Sequence, residues 1–236
     1  MIPALAWAVT DNNSLVVNQN TDRVGMGTDA PDSKLQVIGD ARIGSETNYA
    51  GFETDGTLTF NGSATVFDDL RVPISSAKLL GNSDPDWETF VGGTYALAFA
   101  DNVDQEVFFS CQIPHGWKLG SNLNPHIHWS PDGTDTGSVT WKLEYAISDI
   151  SGTFTSSTTM SATDAGDGVD RKHQYVDLGD IDMSAYTETN DVSIMLINRL
   201  WRDVDDGDDF SGDAFLLEID FHYEIDTIGS RSEASK

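Results

Sequence analysis

Residues Phe215 to Ile225 read FLLEIDFHYEI, and their alternation is the clearest statement of fold in the chain. Phe215, Leu217, Ile219, Phe221, Tyr223 and Ile225 fall at every second position, while Glu218, Asp220, His222 and Glu224 occupy places between them. A period of two sends neighbouring side chains to opposite faces, which predicts a half-buried β-strand. Ser138 to Ala146 repeats the pattern, with Val139, Trp141, Leu143 and Tyr145 facing one way and Thr140, Lys142 and Glu144 the other. Tyr95, Leu97 and Phe99 form a shorter version, followed by Val107 and Phe109. Val192 to Trp201 is a nearly continuous apolar run, expected as a central strand buried on both faces or as a short buried helix. Turns of Gly, Asp and Ser separate these segments and no convincing amphipathic helix interrupts them. The expectation is an all-β chain whose residues 66–228 form a two-sheet β-sandwich of jelly-roll type, followed by a loose polar tail over 229–236. Strand order is not encoded in this pattern.

Residues 1–65 read differently. They are rich in Asn, Thr, Gly and Asp, and their apolar residues come in bursts such as Leu15 to Val17 and Leu35 to Ile38. Within them, Val24 to Gly44 reads VGMGTDAPDSKLQVIGDARIG, a unit of turn, strand, turn and strand with a bend expected at Gly39-Asp40. Asn61-Gly62 predicts a two-residue hairpin. Strands this short cannot bury a core alone, so the segment is expected to share its apolar surface with copies of itself.

The run GMGTDAPDSKLQVIGDARIG resembles the GIGT-x-P-x-KL-V-G type of segment that recurs in bacteriophage tail fibres and related virion appendages. The matching residues lie between Gly25 and Gly39, with Met26 where the family usually has Ile. PHIHWSP at Pro125 to Pro131 and the ending FLLEIDFHYEID look like parts of phage structural proteins of undescribed activity. The resemblance implies a virion protein made in the host cytoplasm, with residues 1–65 as a virion-anchoring, oligomerising and intertwined homotrimeric part. Its partners would be other tail or capsid proteins, and the exposed sandwich would meet a host surface glycan or protein. A capsid decoration (cement) protein is the first alternative. A cupin-like metal enzyme or a carbohydrate-active enzyme is the second.

Charge narrows the partners. Thirty-nine acidic residues against thirteen basic ones give a formal charge of −26, which opposes binding to nucleic acid or to an anionic membrane. The plain account of that charge is a well-solvated surface. Cys111 is the single cysteine, so no intrachain disulfide forms, and its neighbours Phe108, Phe109 and Ile113 predict a small buried hydrophobe. Met1 to Val9 is apolar without a basic start and too short for a membrane span, and is expected to be a docking peptide.

His126 and His128 flank Ile127, so on a strand both imidazoles point to one face and form a candidate metal pair. His222, with Glu218 or Asp220 beside it, would supply a third ligand if the two strands are neighbours. The resemblance to the cupin His-x-His pattern is partial, since no Glu follows closely. The simpler account is a set of histidines hydrogen-bonding across a sheet or lining an intersubunit seam. Asp203, Asp205, Asp206, Asp208, Asp209 and Asp213 crowd one loop around Gly207, with Asp203, Asp205 and Asp208 as candidate Ca²⁺ ligands and a solvated loop as the alternative. Asp164, Asp167 and Asp170 form a thinner cluster. No resident cofactor and no catalytic residue is expected: a serine elbow, Walker loop, HExxH or dinucleotide fingerprint does not occur. Trp87, Trp117, Trp129, Trp141 and Trp201 are read chiefly as packing residues, with sugar stacking as the alternative.

Overall fold

A computed structural model describes residues 15–18 and 22–236, so the expected docking peptide Met1 to Val9 lies outside the described residues. The chain divides into two compact units. One holds the described residues up to Val66 together with Asp226–Ile228; the other holds Phe67–Ile225 with Gly229–Lys236.

The first unit is built from two small sheets. Strands β1 (Leu15–Asn18), β2 (Arg23–Met26) and β3 (Leu35–Val37) form one, with β1 antiparallel and β3 parallel to β2. Strands β4 (Ala41–Gly44), β5 (Tyr49–Phe52) and β6 (Leu58–Asn61) form an antiparallel second. Gly39-Asp40 therefore links strands of different sheets. The Gly-Met-Gly turn is held tightly: Gly27 has φ +75°, and a Cβ there would stand 2.4 Å from the Ile38 carbonyl oxygen. The hairpin expected at Asn61-Gly62 does not form. Asn61 closes β6 and Gly62 opens a 3₁₀ turn, because the partner of this edge comes from far along the chain: the Phe60 N–H donates to the Asp226 carbonyl, and Thr59 bridges Thr227. No large apolar side chain is buried among the described residues of this unit. Leu35 is 62% exposed, Ile43 73% and Phe52 47%.

The second unit takes β7 (Val66–Pro73) from Phe67 onward and β8 (Asp86–Thr89), followed by β9 (Tyr95–Phe99), β10 (Gln105–Gln112), β11 (Leu123–Pro131) and β12 (Ser138–Ser148). It ends with β13 (Thr158–Ala165), β14 (Gln174–Asp177), β15 (Met195–Arg202) and β16 (Ala214–Ile225). Strands β9 to β16 make two four-stranded layers, β14–β11–β16–β9 and β13–β12–β15–β10. This is the strand order of a jelly roll, two Greek keys folded against each other. Strand β8 extends the first layer beyond β9, and β7 also pairs with β16. The fold expected from alternation is thus the fold observed. Its core lies between the layers, with Phe99 edge-on to Trp141 at 5.1 Å and Phe109 against Phe221 at 6.4 Å. Trp117, Trp129, Trp141 and Trp201 are buried, as packing residues should be, while Trp87 is half exposed.

Three details of the sequence pattern are revised. In β16 the pairing with β11 jumps from His128↔Glu218 to Trp129↔Leu216, so Leu217 is an extra residue in the ladder. Such a bulge reverses the faces before it. Leu216 enters the core, and Phe215 packs on the opposite side against Ala96 and Ala98. Strand β15 is interior to its sheet but buried on both faces only at its end: Leu196 and Leu200 point inward, whereas on the other face Ile197 is 49% exposed and Trp201, under Arg199, is buried. The tail is docked as well. Ser230 Oγ lies 2.5 Å from His115 Nδ1, and the Lys236 backbone N–H donates to Thr189 at 2.7 Å.

Candidate functional site: a histidine and carboxylate sheet face

Alternation on β11, β14, β16 and β7 sends one set of side chains into the core and the other onto a single outer face. Register sets the order there. Tyr175 stands opposite His128 and Asp177 opposite His126 across β14–β11, while His128 faces Glu218, His126 faces Asp220 and Asn124 faces His222 across β11–β16. Strand β7 adds Phe67, Asp69 and Arg71 beyond β16. Arg71 grips Glu218 with Nε and Nη2, both at 2.7 Å, and Asp69 Oδ1 lies 2.5 Å from His222 Nε2. Phe67 stacks on the His222 ring at 6.1 Å.

Asp220 is the buried centre of this face. Its Oδ2 is 3.0 Å from His128 Nε2, and its Oδ1 is 3.5 Å from His126 Nδ1. His128 Nδ1 in turn meets His173 Nε2 at 2.8 Å. The His126 ring sits edge-on to His222 at 4.8 Å and to Tyr175 at 5.6 Å. Four of the five histidines thus share one surface. Asp177 is partly desolvated, which by itself would raise its pKa; the Gly179 N–H, the Asn124 amide and the nearby His126 outweigh this and hold it below the usual aspartate range. Beside the face lies an open cleft of about 470 Å³, whose walls include Phe67, His222, Asn124, Asp180 and the Lys118–Glu224 ion pair.

The structure therefore brings His126, His128 and His222 onto one surface, as their strand positions predict, but gives their nitrogens different partners. Among the described residues, no three His, Cys, Asp or Glu side chains converge to hold a metal ion. The aspartate loop is likewise occupied by the chain's own donors. Asp203 pairs with Lys142, whose hydrogen bond holds the Asp203 carboxyl below its usual range, and Asp206 lies 3.1 Å from the same ammonium. Asp208 binds Arg202, Asp209 accepts the Ser138 N–H at 2.6 Å, and Asp205 is exposed. Asp164 accepts the Trp129 indole N–H at 2.8 Å, Asp167 pairs with Lys172, and Asp170 caps Gly133. Cys111 is buried, and that burial pushes its thiol up to about 12. His173, Tyr175, Asp69 and Phe67 carry no signal beyond short local alternation, and sequence reading passed over them.

No protein-family model matches the chain, and neither does any curated protein sequence. Among solved structures it is similar to TmCBM61 in complex with β-1,4-galactotriose, at 15% identity and a TM-score of 0.27, covering 68% of this chain and 88% of that one. It is similar also to TmCBM27, a carbohydrate-binding module described by its specific mannan recognition, at 12% identity and a TM-score of 0.31, covering 66% and 88%. A third is the arabinose-bound MgGH51 α-L-arabinofuranosidase, at 17% identity and a TM-score of 0.27, covering 65% of this chain but 23% of that one.

Proposed function

We propose that this chain is a non-enzymatic bacteriophage virion structural protein, a homotrimeric fibre or appendage whose jelly-roll head binds a glycan of the host surface. The observation that carries the reading is the contrast between the two units. The head buries a core of its own, while the first unit leaves Leu35, Ile38, Ile43 and Phe52 in solvent. Apolar side chains exposed along β1 to β5 are what an intertwined assembly would cover. The resemblance of Gly25 to Gly39 to fibre shaft segments supports the same conclusion.

The chemistry of the outer face supports glycan binding. Tyr175 is 61% exposed and Phe67 68%, and both stand among carboxylates, amides and imidazoles. Flat apolar rings beside hydrogen-bond acceptors suit sugar rings and their hydroxyls. The acidic surroundings favour a neutral or amino sugar over an anionic one.

Light scattering on the purified chain tests the assembly: three times the 25.7 kDa chain mass is expected, and a monomer mass overturns it. Antibody labelling of the particle should mark the tail, and labelling of the capsid shell would favour a decoration protein instead. Incubation with host envelope polysaccharide should release no reducing sugar.

A further inference from the structure

Of the four histidines on the outer face, one pair turns two ring nitrogens toward each other. His128 Nδ1 and His173 Nε2 are 2.8 Å apart, with ring centroids at 5.0 Å. The opposite nitrogen of His128, Nε2, lies 3.0 Å from Asp220 Oδ2. An ionised carboxylate only accepts, so His128 Nε2 carries a proton and donates it, which leaves the Nδ1 lone pair directed at His173. That lone pair accepts the His173 Nε2 proton, and a metal ion that displaced this proton would find a carboxylate behind its imidazole ligand, the outer-sphere arrangement of histidine metal ligands.

The second observation is Asp220 itself. Its side chain is 8% exposed, and its Oδ1 is buried without a hydrogen-bond partner. A buried carboxylate oxygen without a hydrogen bond, with only His126 Nδ1 near it at 3.5 Å, is costly unless further positive charge stands close.

We propose that His128 Nδ1 and His173 Nε2 bind a divalent transition-metal ion such as Zn²⁺ or Ni²⁺, with Asp220 orienting His128 and water completing the coordination. Two imidazoles on a tetrahedral ion stand about 3.3 Å apart, so the pair must open by roughly 0.5 Å. The exposed His173 has room to do so. His222 lies apart from this pair, its ring packed between His126 and Phe67 with Asp69 on Nε2, and His126 borders Asp220 through Nδ1. This differs from the set that strand alternation alone suggests, and it does not depend on glycan binding.

Calorimetric titration of the full chain with NiCl₂ and with ZnCl₂ near neutral pH tests the site. One ion per chain is expected. His173→Gln should abolish binding while leaving the thermal melt unchanged, and Asp220→Asn should weaken binding roughly 10- to 100-fold. His222→Gln should bind as the unaltered chain does. Absence of heat with either ion, binding that survives His173→Gln, or binding lost in His222→Gln would each overturn the proposal.

Discussion

Arg202 and Asp208, six residues apart on either side of the aspartate turn, form a bidentate ion pair with side-chain exposures of 0% and 2%. Arg202 Nε and Nη2 each reach a different Asp208 oxygen at 2.8 Å. The remaining donors go to the carbonyls of Phe99, Gly212 and Phe210. The guanidinium thus ties the loop to β9 and to the chain entering β16. Removing one partner of such a pair strands the other charge in the interior. Asp208→Asn should therefore lower unfolding free energy by roughly 3–5 kcal/mol, measured by urea titration. Added Ca²⁺ should leave the melt of the unaltered protein where it is, because Asp203, Asp206, Asp208 and Asp209 are already bound to cations and N–H groups.

Asp213 should respond to pH in the opposite sense from a paired aspartate. Burial, together with Glu88, Asp132 and Asp101, raises its pKa in the folded chain. The folded state then holds a proton that the unfolded state has released, so this residue's contribution to stability falls as pH rises from the unfolded aspartate value through the raised one. Asp213→Asn should raise Tm at pH 7, and the gain should shrink as the pH is lowered toward 4. An equal gain at both pH values would count against this account.

Ile43 should matter to the assembly and not to the single chain. At 73% exposed it has little to lose within one protomer, where a surface change is worth about ±0.5 kcal/mol. Ile43→Asp should convert the expected trimer mass to a monomer mass in light scattering while the head melts as before. Retention of the trimer would place the assembly contacts elsewhere.

Tyr175 is an exposed ring on the edge strand β14 of the outer face, edge-on to His126 at 5.6 Å. Tyr175→Ala should weaken glycan retention on an affinity column by roughly 2- to 10-fold, in keeping with ring contacts worth about 0.5–1.5 kcal/mol, without moving Tm. A change in Tm larger than retention would assign the ring to packing.

Cys111 should be inert. Its thiol is buried and pushed up to about 12, so a thiol reagent at pH 8 should label it only after denaturant is added. Labelling of the native protein at the rate of a free thiol would contradict the packing described for β10.

Much of this molecule is legible from local pattern. Val139, Trp141 and Leu143 are fully buried where alternation placed them, and Ile219, Phe221 and Tyr223 line the core as read. The same rule correctly set Glu218, Asp220 and His222 on the other face. It failed at Phe215 because a bulge at Leu217 depends on the β11 partner, which lies 80 or more residues away in sequence. It failed at Asn61-Gly62 because residues 226–227 take the edge that a hairpin would have used.

What the sequence determined by itself is strand character, the all-β class, and the contrast between an unpacked first segment and a self-sufficient head. Each follows from the period of two and the density of apolar residues, which are properties of neighbours along the chain. Only the tertiary structure decided the jelly-roll order, the Arg202–Asp208 pair, and the meeting of His128 with His173 over Asp220. Those depend on which strands lie side by side and in what register, and a one-residue slip in register moves every side chain to the opposite face.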